Sequence, residues 1–240
     1  VPRWTPDGDR NRFFIQRLKN KLGNRSNASS EIEYDRTWAT MVGEEGRGVP
    51  TIIEMVHHTR LETSIGSVGQ MRGALTHAMH HARNRSAFQR RLSDQPLMRQ
   101  VLADLALEVE AATTLILRIA RAFDESGSDE TGSDQTAAAF SRIATPVAKY
   151  WVCKRVPGVV YEALECLGGN GYVEDAPLAR FYREAPLNGI WEGSGNVICL
   201  DVLRAMGRNP ESVDALAQEL GQAAGLDDRY DAHLKALQAD

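Results

Sequence analysis

The chain of 240 residues has a formal net charge of −4, with 42% hydrophobic and 25% charged residues. That is enough for one generous core or two modest ones, and the ordinary composition excludes a disordered or fibrous protein. The negative balance argues against a dedicated nucleic-acid binder, and no apolar run reaches the length of a membrane span.

The charge is uneven. Arg3, Arg10, Arg12, Arg17, Lys19, Lys21 and Arg25 crowd residues 1–30 against Asp7 and Asp9, whereas the stretch after Gly207 is acidic. A basic contact face and an ordinary solvated surface both fit this pattern. Cys153, Cys166 and Cys199 lack metal-ligand spacing and lie among apolar residues, so they are expected to be reduced core thiols. With no stretch that reads as a secretory signal, a cytoplasmic setting is expected. The opening VPRW, without Met, suggests a chain that starts inside a longer protein.

Residues 1–48 show no helical period. Short apolar pieces (Phe13 to Ile15, Ile32, Tyr34) alternate with turn signals, EIEYD suits a half-buried strand and GEEGRG a turn. This segment is expected to be the end of a β domain. From Val49 the period changes, and residues 49–206 are expected to form an antiparallel helical bundle. Ile52, Ile53, Val56, Leu61, Ile65, Val68, Met71, Leu75 and Met79 mark a first helix. At roughly 35 residues it is about 50 Å long. A loop from Gln89 to Gln95 precedes Pro96, a good helix starter, and the second stripe runs from Val101 to Phe123. The sequence from Asp124 to Asp134 has linker composition. A third helix, Thr136 to Leu167, is expected to bury Phe140, Ile143, Val147, Trp151, Val160 and Leu164, and to kink or break at Pro146 and Pro157. Shorter helices follow near Leu178–Glu184 and Ser194–Met206, with an acidic helical tail over 207–240.

The chemistry concentrates between Glu162 and Arg204. ECLGGNGY and IWEGSGN are glycine clusters, the second with Glu192 at its centre. They are either Gly-terminated helix ends with surface turns or bare backbone open to a ligand. Glu192 is either a working base beside Trp191 or a carboxylate that stabilises the start of the next helix, and spacing favours the second. HARNRSAFQRRLSDQ gathers Arg83, Arg85, Arg90 and Arg91 around Phe88, which suits a phosphate-plus-ring ligand but also a helix C-terminus. His77 and His81 lack a supporting carboxylate or Cys, so no metal site is expected.

Together these segments resemble a family of flavin-dependent enzymes, the acyl-CoA dehydrogenases. IWEGSGNV is similar to their catalytic I-Y-E-G-T segment, ECLGGNGY to Q-x-x-G-G-x-G-Y, and RSAFQRRL to R-x-x-F-G-x-x-L. KLGNRSNAS with GEEGRG resembles the end of their middle β domain. RLKNKLGNRSNASSEIE and YREAPLNGIWEGSGNVICLDVLR are similar to the AidB-like, alkylation-response branch.

The resemblance implies FAD as cofactor, an acyl-CoA substrate and a homodimer or homotetramer whose cofactor site spans two subunits. It makes Glu192 the base that takes the α-proton, the alternative position just before Arg60 being Thr59. Ser194 and Asn196 occupy FAD-contacting positions, as do Arg85, Phe88, Gln95, Gly168 and Gly169 towards a neighbouring subunit's FAD. Arg60 and Arg204 occupy positions near the acyl-CoA. The sequence departs from the pattern at Glu165 for Gln and Gln89 for Gly, and Gln95 lies one residue closer to Phe88 than the pattern has it. The family's N-terminal helical domain and earlier β segments have no counterpart here. The expected reaction is α,β-dehydrogenation of an acyl-CoA. The alternative is a flavin-containing, DNA-associated alkylation-response protein with little such activity.

Overall fold

The computed structural model describes residues 1–127 and 134–239, so most of the linker-like stretch lies outside the described residues. Strands β1 (Phe13–Leu18) and β2 (Ser30–Tyr34) pair as an antiparallel hairpin, Phe13 opposite Tyr34. Three long helices follow: α1 (Gly48–Asn84), α2 (Pro96–Ser126) and α3 (Gln135–Cys166). Between α1 and α2, β3 (Ser86–Ala87) and β4 (Arg90–Arg91) make a tight hairpin where the sequence suggested a plain loop. Beyond α3 come α4 (Gly169–Tyr172), α5 (Pro177–Asn188), α6 (Gly195–Arg208), α7 (Pro210–Gly221) and α8 (Asp228–Ala239). No helix among the described residues is long and apolar enough to cross a membrane.

Local chemistry sets the boundaries. Pro96 opens α2, where its missing N–H costs nothing. The Asp134 carboxylate caps α3, accepting from the amides of Thr136 (2.8 Å) and Ala137 (3.2 Å). Between Leu164 and Gly171 the chain doubles back so tightly that a Cβ at Gly171 would collide with the Leu164 carbonyl.

The long helices run up, down and up. His57, early in α1, stacks on Phe123, late in α2, with ring centroids 4.8 Å apart. Ser67 of α1 meets Cys153 of α3 at 3.4 Å between Oγ and Sγ, and Arg60 and Arg142, earlier in the same two helices, meet at Asp201, so α1 and α3 run parallel. Their seam buries Met71, Leu75 and Ala78 from α1, Val109, Ala112 and Ile119 from α2, and Val152, Val156 and Val160 from α3. Helix α3 is central and also packs on α5, α6 and α7. Arg118 of α2 grips Glu219 of α7 through two 2.7 Å bonds.

Four expectations change. Ile52 and Ile53 are exposed, because they lie beyond the level of His57, where α2 ends. The buried stripe of α3 runs through Ala144, Ala148, Val152 and Val156, which leaves Val147 exposed and Lys149 buried. Cys199 is exposed on α6, whose outer apolar face (Val197, Leu200, Leu203) is uncovered; only Cys153 and Cys166 are buried. Helix α3 is also unbroken through Pro146 and Pro157. Each proline removes one hydrogen bond, but packing on six neighbouring helices outweighs that loss.

His57 links this packing to pH. Burial, followed by the charges of Arg142, His58 and Arg60 and opposed by Asp201, lowers its pKa from 6.5 to about 4. The unfolded chain therefore takes up the proton first. The contribution to stability is complete above pH 6.5 and is lost as pH falls towards 4. His57→Phe, which keeps a ring against Phe123, is expected to lose less stability than the wild type between neutral and mildly acidic pH, as read from urea midpoints.

Candidate active site

Helix α5 returns antiparallel to α1, and two hydrogen bonds fix its level. Gln70 donates to the Phe181 carbonyl at 2.6 Å, and Asn188 donates to the Gln70 side-chain oxygen at 3.0 Å. The chain then turns at Ile190–Gly193, beside Thr59 and Arg60 of α1, before α6 begins.

That turn is unusual in its backbone. Glu192 has φ 57° and Gly193 φ 111°, both left-handed. A non-glycine residue in that region costs on the order of 1–3 kcal/mol and persists only where its surroundings impose it. Here two cations do so. Arg60 Nε donates to the Glu192 carbonyl at 3.1 Å, and Lys149 Nζ donates to the Gly193 carbonyl at 2.6 Å. Lys149 is 1% exposed, and burial lowers its pKa despite the favourable charges of Cys153 and Glu192.

Arg60 in turn donates to Asp201 of α6 at 2.5 Å, and Arg142 of α3 donates to the other Asp201 oxygen at 3.0 Å. Arg204 reaches that oxygen at 3.4 Å. Burial raises the Asp201 pKa, but the Arg142 and Arg60 guanidiniums outweigh it and hold the carboxyl below the usual range. One carboxylate thus ties α1, α3 and α6 together directly beneath the turn.

The Glu192 carboxylate points the other way. Thr59 Oγ1 donates to its Oε2 at 2.8 Å. The two positions at which the resemblance puts a base are therefore in hydrogen-bond contact, one as a carboxylate and the other as its donor. Both line a cleft of about 320 Å³ with Glu62, Thr63, Gly66, Asn188 and Trp191. Gly66, Asn188 and Trp191 also line a second cavity of about 730 Å³, walled by Leu22, Gly23 and Arg25 of the loop after β1 and by Phe181 of α5.

The other candidate residues divide into two groups. Ser194, the N-cap of α6, makes no side-chain capping bond, and both Ser194 and Asn196 are exposed beside Glu192. Arg204 is half exposed, whereas Arg60 is committed to Asp201 and the turn. Arg85, Phe88 and Gln95 lie at the opposite end of α1, about 39 Å from Thr59 along the helix axis. There Phe88 (φ 52°) and Gln89 (φ 67°) form the two-residue loop of the β3–β4 hairpin, with Phe88 93% exposed. Gln95 braces this hairpin by donating to the Ala87 carbonyl at 3.2 Å. Gly168 and Gly169 follow the end of α3, about 25 Å beyond Lys149, and are exposed. His77 turns its edge to Phe181, and no three His, Cys, Asp or Glu side chains converge as a metal site among the described residues.

Asp201, Arg142 and Lys149 were missed by sequence reasoning. The available signal was a charged residue set within an apolar helical run, as in ATPVAKYWVC and VICLDVL.

Residues 46–207 match the family model "Acyl-CoA dehydrogenase, C-terminal domain". The chain is 44% identical over 238 residues to AidB of Escherichia coli, assigned by name to the acyl-CoA dehydrogenases, covering 99% of this chain and 43% of that protein. It is 34% identical to acyl-CoA dehydrogenase family member 11 of Caenorhabditis elegans, covering 95% of this chain and 37% of the relative. The structure of Caenorhabditis elegans ACDH-11 in complex with C11-CoA superposes with a TM-score of 0.88 at 31% identity, covering 100% of this chain and 40% of that one. The chain thus spans less than half the length of these relatives. The family match and the end-to-end likeness of fold agree, and the chain belongs to the acyl-CoA dehydrogenase family.

Proposed function

We propose that this chain supplies the catalytic base of an FAD-dependent enzyme that introduces an α,β double bond into an acyl-CoA thioester. The observation that carries this reading is Glu192 itself. It is a carboxylate held in a left-handed turn by Arg60 and Lys149, hydrogen-bonded to Thr59 and open to a cleft. A fixed carboxylate facing a cleft suits removal of a proton from the carbon beside a thioester carbonyl. The proton goes to the Glu192 carboxylate, a hydride leaves the β-carbon and a carbon–carbon double bond forms. The relative solved with C11-CoA supports an acyl-CoA as the substrate class.

The chemistry a bound flavin supplies is that of a hydride acceptor. The residues present fit parts of such a cofactor. Ser194 and Asn196 offer side chains at the free N-terminus of α6, a position suited to anionic oxygens. Arg85 offers a guanidinium, Phe88 an uncovered ring, and Gly168–Gly169 bare backbone open to solvent. Because these two sets lie at opposite ends of α1, one FAD would join them only across two copies of the chain, which supports a homodimer or a higher homo-oligomer. Thr59 acts as a positioning residue for the base, Arg60 for the turn, and Arg204 offers the more accessible cation for the anionic groups of the thioester.

Two variants of the full-length protein separate these roles. Glu192→Gln is expected to retain flavin and fold while losing turnover by about a thousandfold, measured as bleaching of the flavin band by acyl-CoA without oxygen. Unchanged bleaching would sink the assignment. A flavin band that no thioester bleaches, together with steeply salt-dependent duplex binding, would favour the DNA-associated alternative. Asp201→Asn removes the carboxylate shared by Arg60, Arg142 and Arg204. It is expected to lower stability by about 3 kcal/mol, read from a shift in the urea midpoint.

A further inference from the structure

The two cations that hold the Glu192 turn differ in kind. Arg60 meets the Glu192 carbonyl while its charge is balanced by Asp201, and a guanidinium does not lose its proton in a folded protein. Lys149 meets the Gly193 carbonyl at 2.6 Å, and among the described residues that carbonyl is its one hydrogen-bond partner. Its surroundings cannot replace it. The side chain is buried, and the crevice it shares with Tyr150, Cys153, Lys154, Gly189, Gly195 and Ile198 has no room for a water molecule. Lys149 lies behind the turn and does not line the cleft into which Glu192 opens.

We propose that Lys149 is a positioning residue whose ammonium proton sets the alkaline limit of proton abstraction by Glu192. This rests on the reading of Glu192 as the base. A neutral amine still donates to a carbonyl, but a charged hydrogen bond is roughly twice as strong as a neutral one. Release of the proton to bulk water therefore loosens the hold on Gly193, and no water can enter to take its place. The left-handed backbone at Glu192 then keeps only Arg60 as a full restraint, and its carboxylate spends less time against Thr59. Because Lys149 stands outside the cleft, the loss falls on the chemical step and spares binding of the thioester.

The groups packed around Lys149 decide where that limit falls. Burial acts most strongly and lowers its pKa from the ordinary 10.5. Cys153 of α3 and Glu192 of the turn favour the ammonium, whereas Arg60 of α1 and Lys154 of α3 oppose it. The end of α5 and the start of α6 face it with Gly189, Gly195 and Ile198, which carry no charge, and Asp201 of α6 is engaged by Arg60 and Arg142. The ammonium is complete below the lowered pKa and is lost as pH rises through it, so the limit lies below pH 10.5.

The test uses full-length protein and follows single-turnover bleaching of the flavin by an acyl-CoA without oxygen, across pH and acyl-CoA concentration. In the wild type the limiting rate is expected to fall by about tenfold along an alkaline limb, with half-saturation changing by less than about twofold. Lys149→Gln supplies a neutral donor that does not titrate. It should be about tenfold slower at neutral pH and show no limb. Lys149→Met, without a donor, should be slower still and equally flat. Cys153→Ala, which removes the neighbouring thiol, should keep both the rate and the limb. A limb that survives in Lys149→Gln or vanishes in Cys153→Ala would overturn the proposal and leave the base in place. So would a wild type with no limb below pH 10.5. Should both Lys149 variants fail to fold, the wild-type and Cys153→Ala profiles decide. If Glu192→Gln leaves bleaching unchanged, both readings fall together.

Discussion

The site depends on a backbone conformation that its own residues disfavour. Left to itself, Glu192 would relax out of the left-handed region, and its carboxylate would swing away from Thr59. Two successive carbonyls are instead held by cations rooted in the two longest stretches of the core. Arg60 comes from α1 and Lys149 from α3. A buried lysine with a carbonyl as its direct partner is costly, and its lowered pKa registers that cost. The arrangement makes the turn as rigid as the bundle beneath it. The carboxylate is thereby placed by helices rather than by the loop that carries it, which is the condition for precise geometry at a reacting carbon.

Asp201 completes this support from α6, and the charges around it are unequal. Arg60, Arg142 and Arg204 surround one carboxylate. Only the most buried guanidinium, Arg60, also reaches the turn, so the ion cluster and the strained backbone share one residue. The most exposed of the three guanidiniums is Arg204, which carries positive charge from the cluster towards solvent.

Much of the fold was legible because three long stripes at helical spacing, bounded by Pro96 and the Gly168–Gly171 cluster, leave few alternatives to a bundle. Details that depend on what covers a face were not. Ile52, Ile53 and Val147 fit their stripes by period, yet the neighbouring helix ends short of the first two and the α3 seam passes beside the third. Pro146 and Pro157 broke a local rule that packing overrode. In the site, Glu192 stood out through its glycine-rich segment, but its partners did not. Lys149 lies 43 positions earlier and Thr59 lies 133 earlier, with no motif linking them. Spacing along a chain cannot reveal a contact that exists only once α5 has folded back along α1.

The separation between the two ends of α1 has a thermodynamic corollary. A ligand that touches Ser194 in one copy and Arg85 in another binds the assembled state and not the single chain. Its affinity and the affinity of the copies for each other then become one linked quantity. Dilution would weaken the hold on such a ligand without altering any side chain, and supply of the ligand would in turn govern how much of the protein is assembled.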